Sequence, residues 1–227
     1  MNSLDNLKSS IIGQFGTPCS VIDLDIIESN IQRAQTICDA AGVSNRPHIK
    51  THKSPLLAKM QLKAGASGIT CQKLGEAEVM ANAGIDDILI ATNILGAARS
   101  GRLTKLQKKI PLKVCADNSV SLKEYSKAAQ AANRPLDVLI ECDTGQKRAG
   151  VEKPSEALSL IKSIIADKWL KFTGLLYYPP LHGWENTQLF HDDLTKMLDE
   201  LNLKAKIIST GGTPNFCLLY TSDAADE

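Results

Sequence analysis

The chain has 227 residues, 43% of them hydrophobic, and its 26 Lys and Arg against 25 Asp and Glu give a formal net charge of +1. That length suits one large α/β domain, and the balanced charge excludes an electrostatic nucleic-acid binder. No apolar run approaches the ~18 residues of a membrane span, and the N-terminus lacks a charged-then-apolar signal pattern, so a cytoplasmic chain with no nucleic acid and no membrane partner is expected. Cys19, Cys38, Cys71, Cys115, Cys142 and Cys217 form no CxxC pair. Several lie in apolar runs and read as buried thiols of a reducing compartment, neither a disulfide frame nor a metal site.

Residues 1–16 are polar and Gly-punctuated, a flexible lead-in. Residues 18–24 (PCSVIDL) alternate and predict a strand, and 25–41 predict a helix with Ile26, Ile27, Ile31, Ala34 and Ile37 at helical spacing and Gly42 as its stop. A regular beat follows. Strands are predicted at 46–51, 68–72, 87–92, 112–117, 136–142, 171–177 and 206–210. Helices are predicted at 55–64, 74–83, 97–108, 119–132, 154–167 and 185–202, several ending at Gly65, Gly84 or Asn133. Alternating strands and helices predict parallel βα units with strands covered on both faces.

About seven such units are present, one short of an eight-stranded (β/α)8 TIM-type barrel. An open doubly wound sheet is the alternative, but no GxGxxG follows the first strand and the glycine-rich stretches come late, so the incomplete barrel is favoured. The last eleven residues, 217–227, break the beat and read as translated adaptor sequence. On that reading the barrel occupies 17–216, the natural protein continues past Phe216, and the eighth strand is missing for that reason.

In parallel barrels the chemistry gathers at the C-terminal ends of the strands. Those ends are polar here almost without exception. The first carries His48, Lys50 and His52 inside Arg46-Pro47-His48-Ile49-Lys50-Thr51-His52-Lys53. Gln72 and Lys73 close the second, Asn93 the third, and Asp117 and Asn118 the fourth. Glu141 to Gly150 (ECDTGQKRAG) follows the fifth, Tyr177, Tyr178 and His182 the sixth, and Ser209-Thr210-Gly211-Gly212-Thr213 the seventh. A lysine on a barrel rim is placed to serve as an amine nucleophile. Ser209 to Thr213 offers consecutive N–H groups and hydroxyls, either an anion nest for a phosphate or a plain glycine-rich turn. Arg148 either faces an anionic oxygen or ring nitrogen of a ligand, or pairs with Glu141 or Asp143. Amine, anion nest and guanidinium together suit pyridoxal phosphate.

RPHIKTHK, ITCQKLGEAEVMANAGIDDILIA, ECDTGQKRAGV, GLLYYPP and STGGTP stand in the order and spacing of the D-threonine aldolase and D-serine dehydratase family. The chain resembles that family, whose barrel is shared with alanine racemases, from about Thr17 to Asn215. The resemblance implies pyridoxal 5'-phosphate as cofactor, Lys50 as its Schiff-base lysine and Lys53 as a solvated residue at a helix start. It implies Arg148 and Tyr178 beside the cofactor, Gln72 and His48 lining its ring pocket, and Gly211, Gly212 and Thr213 as the phosphate loop, with Ser209 and Thr210 as helpers. His52 either assists at a β-hydroxyl or packs under the lysine. His191 reads as a surface residue, and no role is assigned to His182.

The implied activity is a lyase reaction on a small-molecule D-amino acid: cleavage of a D-β-hydroxy amino acid to glycine and an aldehyde, or its deamination. A racemase of the same fold and a non-catalytic pyridoxal-phosphate carrier are the alternatives. The resemblance also implies a homodimer, and a divalent metal whose ligands lie in a C-terminal β-domain outside this chain. No metal ligands are assigned within it, and residues 1–227 alone are expected to show little turnover.

Overall fold

Six parallel strands in sequential order, each passing through a helix to the next, form the computed structural model, which describes residues 3–212. Helices α1 (Ser3–Phe15), α2 (Leu24–Ala40) and α3 (Pro55–Lys63) precede the first strand, β1 (Ile69–Cys71). Then follow α4 (Leu74–Asn82), β2 (Ile88–Ile90), α5 (Ala97–Lys109), β3 (Leu112–Ala116) and α6 (Ser119–Ala132). The chain continues with β4 (Leu136–Cys142), α7 (Pro154–Ile165), β5 (Leu170–Tyr177), α8 (Trp184–Asp199) and β6 (Ile207–Ser209). The neighbours pair in register, Ile69 with Ile88, Ile88 with Leu112, Val114 with Val138, Ile140 with Leu175, and Gly174 with Ile207. The sheet curls into an incomplete (β/α)8 barrel with its helices outside.

Strand alternation sends successive side chains to opposite faces, and here both faces are covered. Ile69, Ile88, Ile90, Val114, Val138, Ile140 and Leu175 face outward onto buried helix residues such as Met80, Leu103, Tyr125, Ile161 and Leu194. Leu89, Cys115, Leu139 and Leu176 form a second, smaller cluster on the inner face, with Ala91 and Ile207 against it. In β5 the register moves from Val138–Phe172 to Leu139–Gly174, so Thr173 is an extra residue. Gly174 lies so close to Ile207 that any Cβ would collide with its carbonyl. This bulge and close approach bend the sheet where β6 joins it.

The helix boundaries follow local chemistry. Asp23 accepts the N–H groups of Asp25 and Ile26 to cap α2, Ser54 caps α3 just before Pro55, and Asn118 caps α6 through Ser121 N–H. Asn133 closes α6 in the left-handed conformation. Cys38, Cys71, Cys115 and Cys142 are buried free thiols as expected, whereas Cys19 is exposed and Cys217 lies outside the described residues.

Three expectations for the N-terminal part are corrected. Residues 3–15 are helical, though from 5 to 15 every side chain but Ile11 is exposed, so α1 adds nothing to the core. Residues 18–24 form no strand: Val21 and Ile22 are exposed and pair with nothing, and β-rich alternation becomes a strand only beside a partner. The predicted strand at 46–51 contracts to a single parallel bridge, His48 to Thr70, because the chain turns sharply straight after Ile49.

Candidate active site

The bridge puts His48 and Ile49 alongside β1: Thr70 N–H donates to Pro47 O and Ile49 N–H to Thr70 O, each at 2.9 Å. Residues 49–53 then close a turn, with Lys53 N–H on Ile49 O at 2.8 Å and Lys53 in a left-handed conformation at φ 50°. Each histidine serves the backbone two residues further on. His48 Nδ1 accepts Lys50 N–H at 3.3 Å, and His52 Nδ1 accepts Ser54 N–H at 3.0 Å. Burial, and then the nearby Lys50 charge, hold His48 below the ordinary histidine value, so its ring is neutral at neutral pH. Burial also lowers His52, whose buried Nε2 faces Gln61 without a formed hydrogen bond. Lys50 is left exposed at the rim, with Nζ 5.9 Å from the centroid of Tyr178.

The loop after β4 carries Arg148 to the same place. Its ends are tied by Asp143 N–H to Val151 O and Val151 N–H to Glu141 O, at 2.9 and 3.0 Å. Gly145 and Gly150 have positive φ, and a Cβ on Gly150 would stand 2.6 Å from Asp143 N. Only glycine fits that crossing. Arg148 Cζ lies 4.5 Å from the Tyr178 ring centroid, a cation–π distance. Asp117 holds the loop from below: Oδ2 accepts Gly150 N–H at 3.0 Å, while Oδ1 accepts Asn93 Nδ2 at 2.7 Å and Asn118 Nδ2 at 2.6 Å. Glu141 is buried on the inner face with Cys115 Sγ 3.6 Å from Oε2. Burial pushes its carboxyl up, while Cys115 and Arg148 pull it back.

The segment after β6 meets the same ring. Gly212, at φ 149°, lies against Tyr178 so closely that a Cβ would sit 2.5 Å from Cε2. Tyr178 is therefore the point shared by the Lys50 turn, the Arg148 loop and the glycine loop. Ser209, Thr210 and Gly211 lead into Gly212 on the same rim, and Thr213 lies outside the described residues. Gln72, half-buried, stands between His48 and the start of α4. His52 turns toward α3 and does not join this group. An amine and a guanidinium at one aromatic face, a glycine-rich segment against the same ring and a neutral imidazole in the adjoining turn make a donor set that fits a small phosphorylated aldehyde. For a metal the described residues do not fit: no group of three His, Cys, Asp or Glu side chains is arranged to hold one.

The sequence profile of the alanine racemase N-terminal domain matches residues 22–226. The chain belongs to that family. It is similar to D-threonine aldolase of an Arthrobacter species, with 38% identity over 76% of this chain and 45% of that protein. It is also similar to D-threo-3-hydroxyaspartate dehydratase of Delftia sp. strain HT23, with 37% identity over 93% of this chain and 59% of that one. Among solved structures, D-threonine aldolase from Filomicrobium marinum superposes with a TM-score of 0.82 at 32% identity, covering 88% of this chain and 57% of that chain. The chain thus spans about half the length of the curated relatives it matches. The family assignment and the parallel barrel agree with the fold read from the sequence.

Several rim residues went unrecognised in the sequence. Glu76 is buried in the first turn of α4, with Oε2 accepting Gln72 N–H at 2.7 Å and Oε1 3.3 Å from Lys53 Nζ. Lys53 is solvent-exposed just before α3, in line with its reading as a solvated residue at a helix start, and its ammonium also pairs with Glu76. His191 is half-buried, not a free surface residue. Its Nδ1 lies 3.2 Å from the hydroxyl of Tyr177, which precedes Tyr178. An acidic residue in a helix's first turn, four positions after a strand-end glutamine, is the signal that could have flagged Glu76. Asp117 was read as a strand exit but not as the hub it forms. No helix among the described residues is long and apolar enough to cross a membrane.

Proposed function

We propose that this chain contributes the cofactor-binding barrel of a pyridoxal-phosphate-dependent lyase acting on small D-configured β-hydroxy amino acids. The observation that carries this reading is the meeting of Lys50, Arg148 and Gly212 on the Tyr178 ring. The similarity to D-threonine aldolase and to D-threo-3-hydroxyaspartate dehydratase supports the substrate class.

In this reading Lys50 supplies the amine that anchors the cofactor, and its Nζ then holds or moves a proton at the substrate. Arg148 and Tyr178 flank the cofactor ring, and neutral His48 with Gln72 lines its pocket without adding charge beside Lys50. Ser209, Thr210 and the N–H groups of Gly211, Gly212 and Thr213 take the phosphate. The contacts of His52 support its packing role beneath the lysine turn. When bound, pyridoxal phosphate supplies an electron sink for negative charge developing at the substrate Cα. A proton taken from the β-hydroxyl leads to glycine and an aldehyde; one taken from Cα, with departure of the hydroxyl, leads to an oxo acid and ammonia.

Titration of the chain with pyridoxal phosphate tests the reading. A visible absorbance band at about 420 nm is expected in the wild type and absent in Lys50→Ala with an unchanged circular-dichroism spectrum. A band of equal strength in the variant contradicts the assignment of Lys50. For the protein that carries this barrel, product analysis with D-threonine separates glycine from 2-oxobutanoate.

A further inference from the structure

We infer that Glu76, acting through Lys53, is the positioning residue that fixes the turn carrying Lys50. This rests on the proposed cofactor role of Lys50 and adds to it the device that holds the amine at the rim.

The reasoning starts from two choices that local propensity does not explain. Lys53 is left-handed at φ 50°, where glycine or asparagine is the ordinary residue and a lysine costs about 1 kcal/mol. Its N–H nonetheless closes the turn on Ile49 O at 2.8 Å. What lysine adds is its ammonium, 3.3 Å from Glu76 Oε1. Glu76, for its part, is only 7% exposed, and a carboxylate so buried must be compensated. One oxygen is accounted for by capping: Lys73 gives α4 no side-chain cap, and Glu76 reaches back to Gln72 N–H at 2.7 Å near the positive end of the helix. Capping leaves the other oxygen unexplained. Lys53 occupies it.

The contacts then form a ring around the turn. Lys50 N–H is held by His48 Nδ1, His48 faces Gln72, Gln72 N–H is on Glu76, Glu76 is on Lys53, and Lys53 N–H returns to Ile49 O. The side chain of Lys53 is 54% exposed, so an isolated pair would contribute little stability. Its worth lies in orientation: Glu76 couples the turn to α4 and β1, and so sets where Lys50 leaves the backbone. The same pair holds the Lys53 amine on a carboxylate, away from an aldehyde meant for Lys50.

The test uses the whole chain with Lys53→Met, Lys53→Arg, Glu76→Gln and the Lys53→Met/Glu76→Gln double variant. Amide exchange across residues 50–53 is read without cofactor, and pyridoxal phosphate capture by its visible band. Lys53→Met and Glu76→Gln are each expected to speed exchange at the Lys53 amide and to weaken capture about tenfold. Lys53→Arg should restore both, and the double variant should be no worse than either single one. Unchanged exchange and capture in Lys53→Met, failure of arginine to rescue, or additive losses in the double variant would each overturn the inference. Should the wild type capture no pyridoxal phosphate, the proposed function falls, while the exchange data alone still decide whether Glu76 fixes the turn.

Discussion

Both ends of the barrel are charged, and a pair of cations at each end is partnered differently. At the N-terminal mouth, Arg46 and Lys113 converge on the single carboxylate of Asp87, with Lys113 Nζ 3.0 Å from Oδ1. Burial there works against the charge, but hydrogen bonds from Arg46 and Lys113 outweigh it and hold Asp87 below the usual carboxylate range. At the C-terminal rim, Lys50 and Arg148 form no ion pair with any described residue and instead face the Tyr178 ring. Charges that serve the fold neutralise one another. Charges held beside a glycine loop without an ion-pair partner among the described residues fit the proposed ligand role.

That contrast predicts a double dissociation among the charged residues: substituting the unpaired rim cations should change cofactor capture, and substituting the mouth charges should change stability, with a backbone glycine of the rim loop as the structural reference. The largest effect is expected from Lys50→Ala, which should abolish the visible band and leave the melting temperature nearly unchanged. Next comes Gly150→Ala, where a Cβ would stand 2.6 Å from Asp143 N at φ 109°. It should lower unfolding free energy by about 2–4 kcal/mol in denaturant titrations, because neither backbone segment can yield cheaply. Arg148→Ala should weaken pyridoxal phosphate binding about tenfold with little change in stability. If Arg148→Ala destabilised the chain as much as Gly150→Ala, the rim arginine would be structural and the contrast would fail.

The smallest expected effects concern titration. Asp87→Asn should cost about 1 kcal/mol, since Asp87 is 40% exposed and its pairs are screened. Its folded-state value is depressed, so its contribution is fully present above the ordinary value of 3.8 and is lost as pH falls through the lowered one. Acid unfolding curves of wild type and Asp87→Asn should therefore converge at low pH. His48 is likewise held below its ordinary 6.5, so an NMR titration of its ring resonances should give a midpoint below that value. A midpoint above 6.5 would contradict the neutral ring.

The βα repeat is legible in the sequence because buried parallel strands are short apolar runs and the helices between them carry caps and positive-φ stops. From Pro55 to Ser209 the predicted elements match to within a few residues. The N-terminal part is not legible in the same way. Val21 and Ile22 have strand chemistry, but pairing is a property of the neighbour, and none stands beside them. At the site, Lys50, Arg148 and the glycines are legible as residue types at strand exits. The meeting of Arg148 with Tyr178, and of Tyr178 with Gly212, is a product of the curl that brings β4, β5 and β6 together. Glu76 escaped because its one sequence signal, an acidic residue in a helix's first turn four positions after a strand-end glutamine, is commonplace, and its burial beside Lys53 is what gives it weight.

Reductive trapping with borohydride after adding pyridoxal phosphate, followed by peptide mapping, tests the central claim most directly. The stable phosphopyridoxyl label is predicted on Lys50. A label confined to Lys53 or to any other lysine would contradict the account.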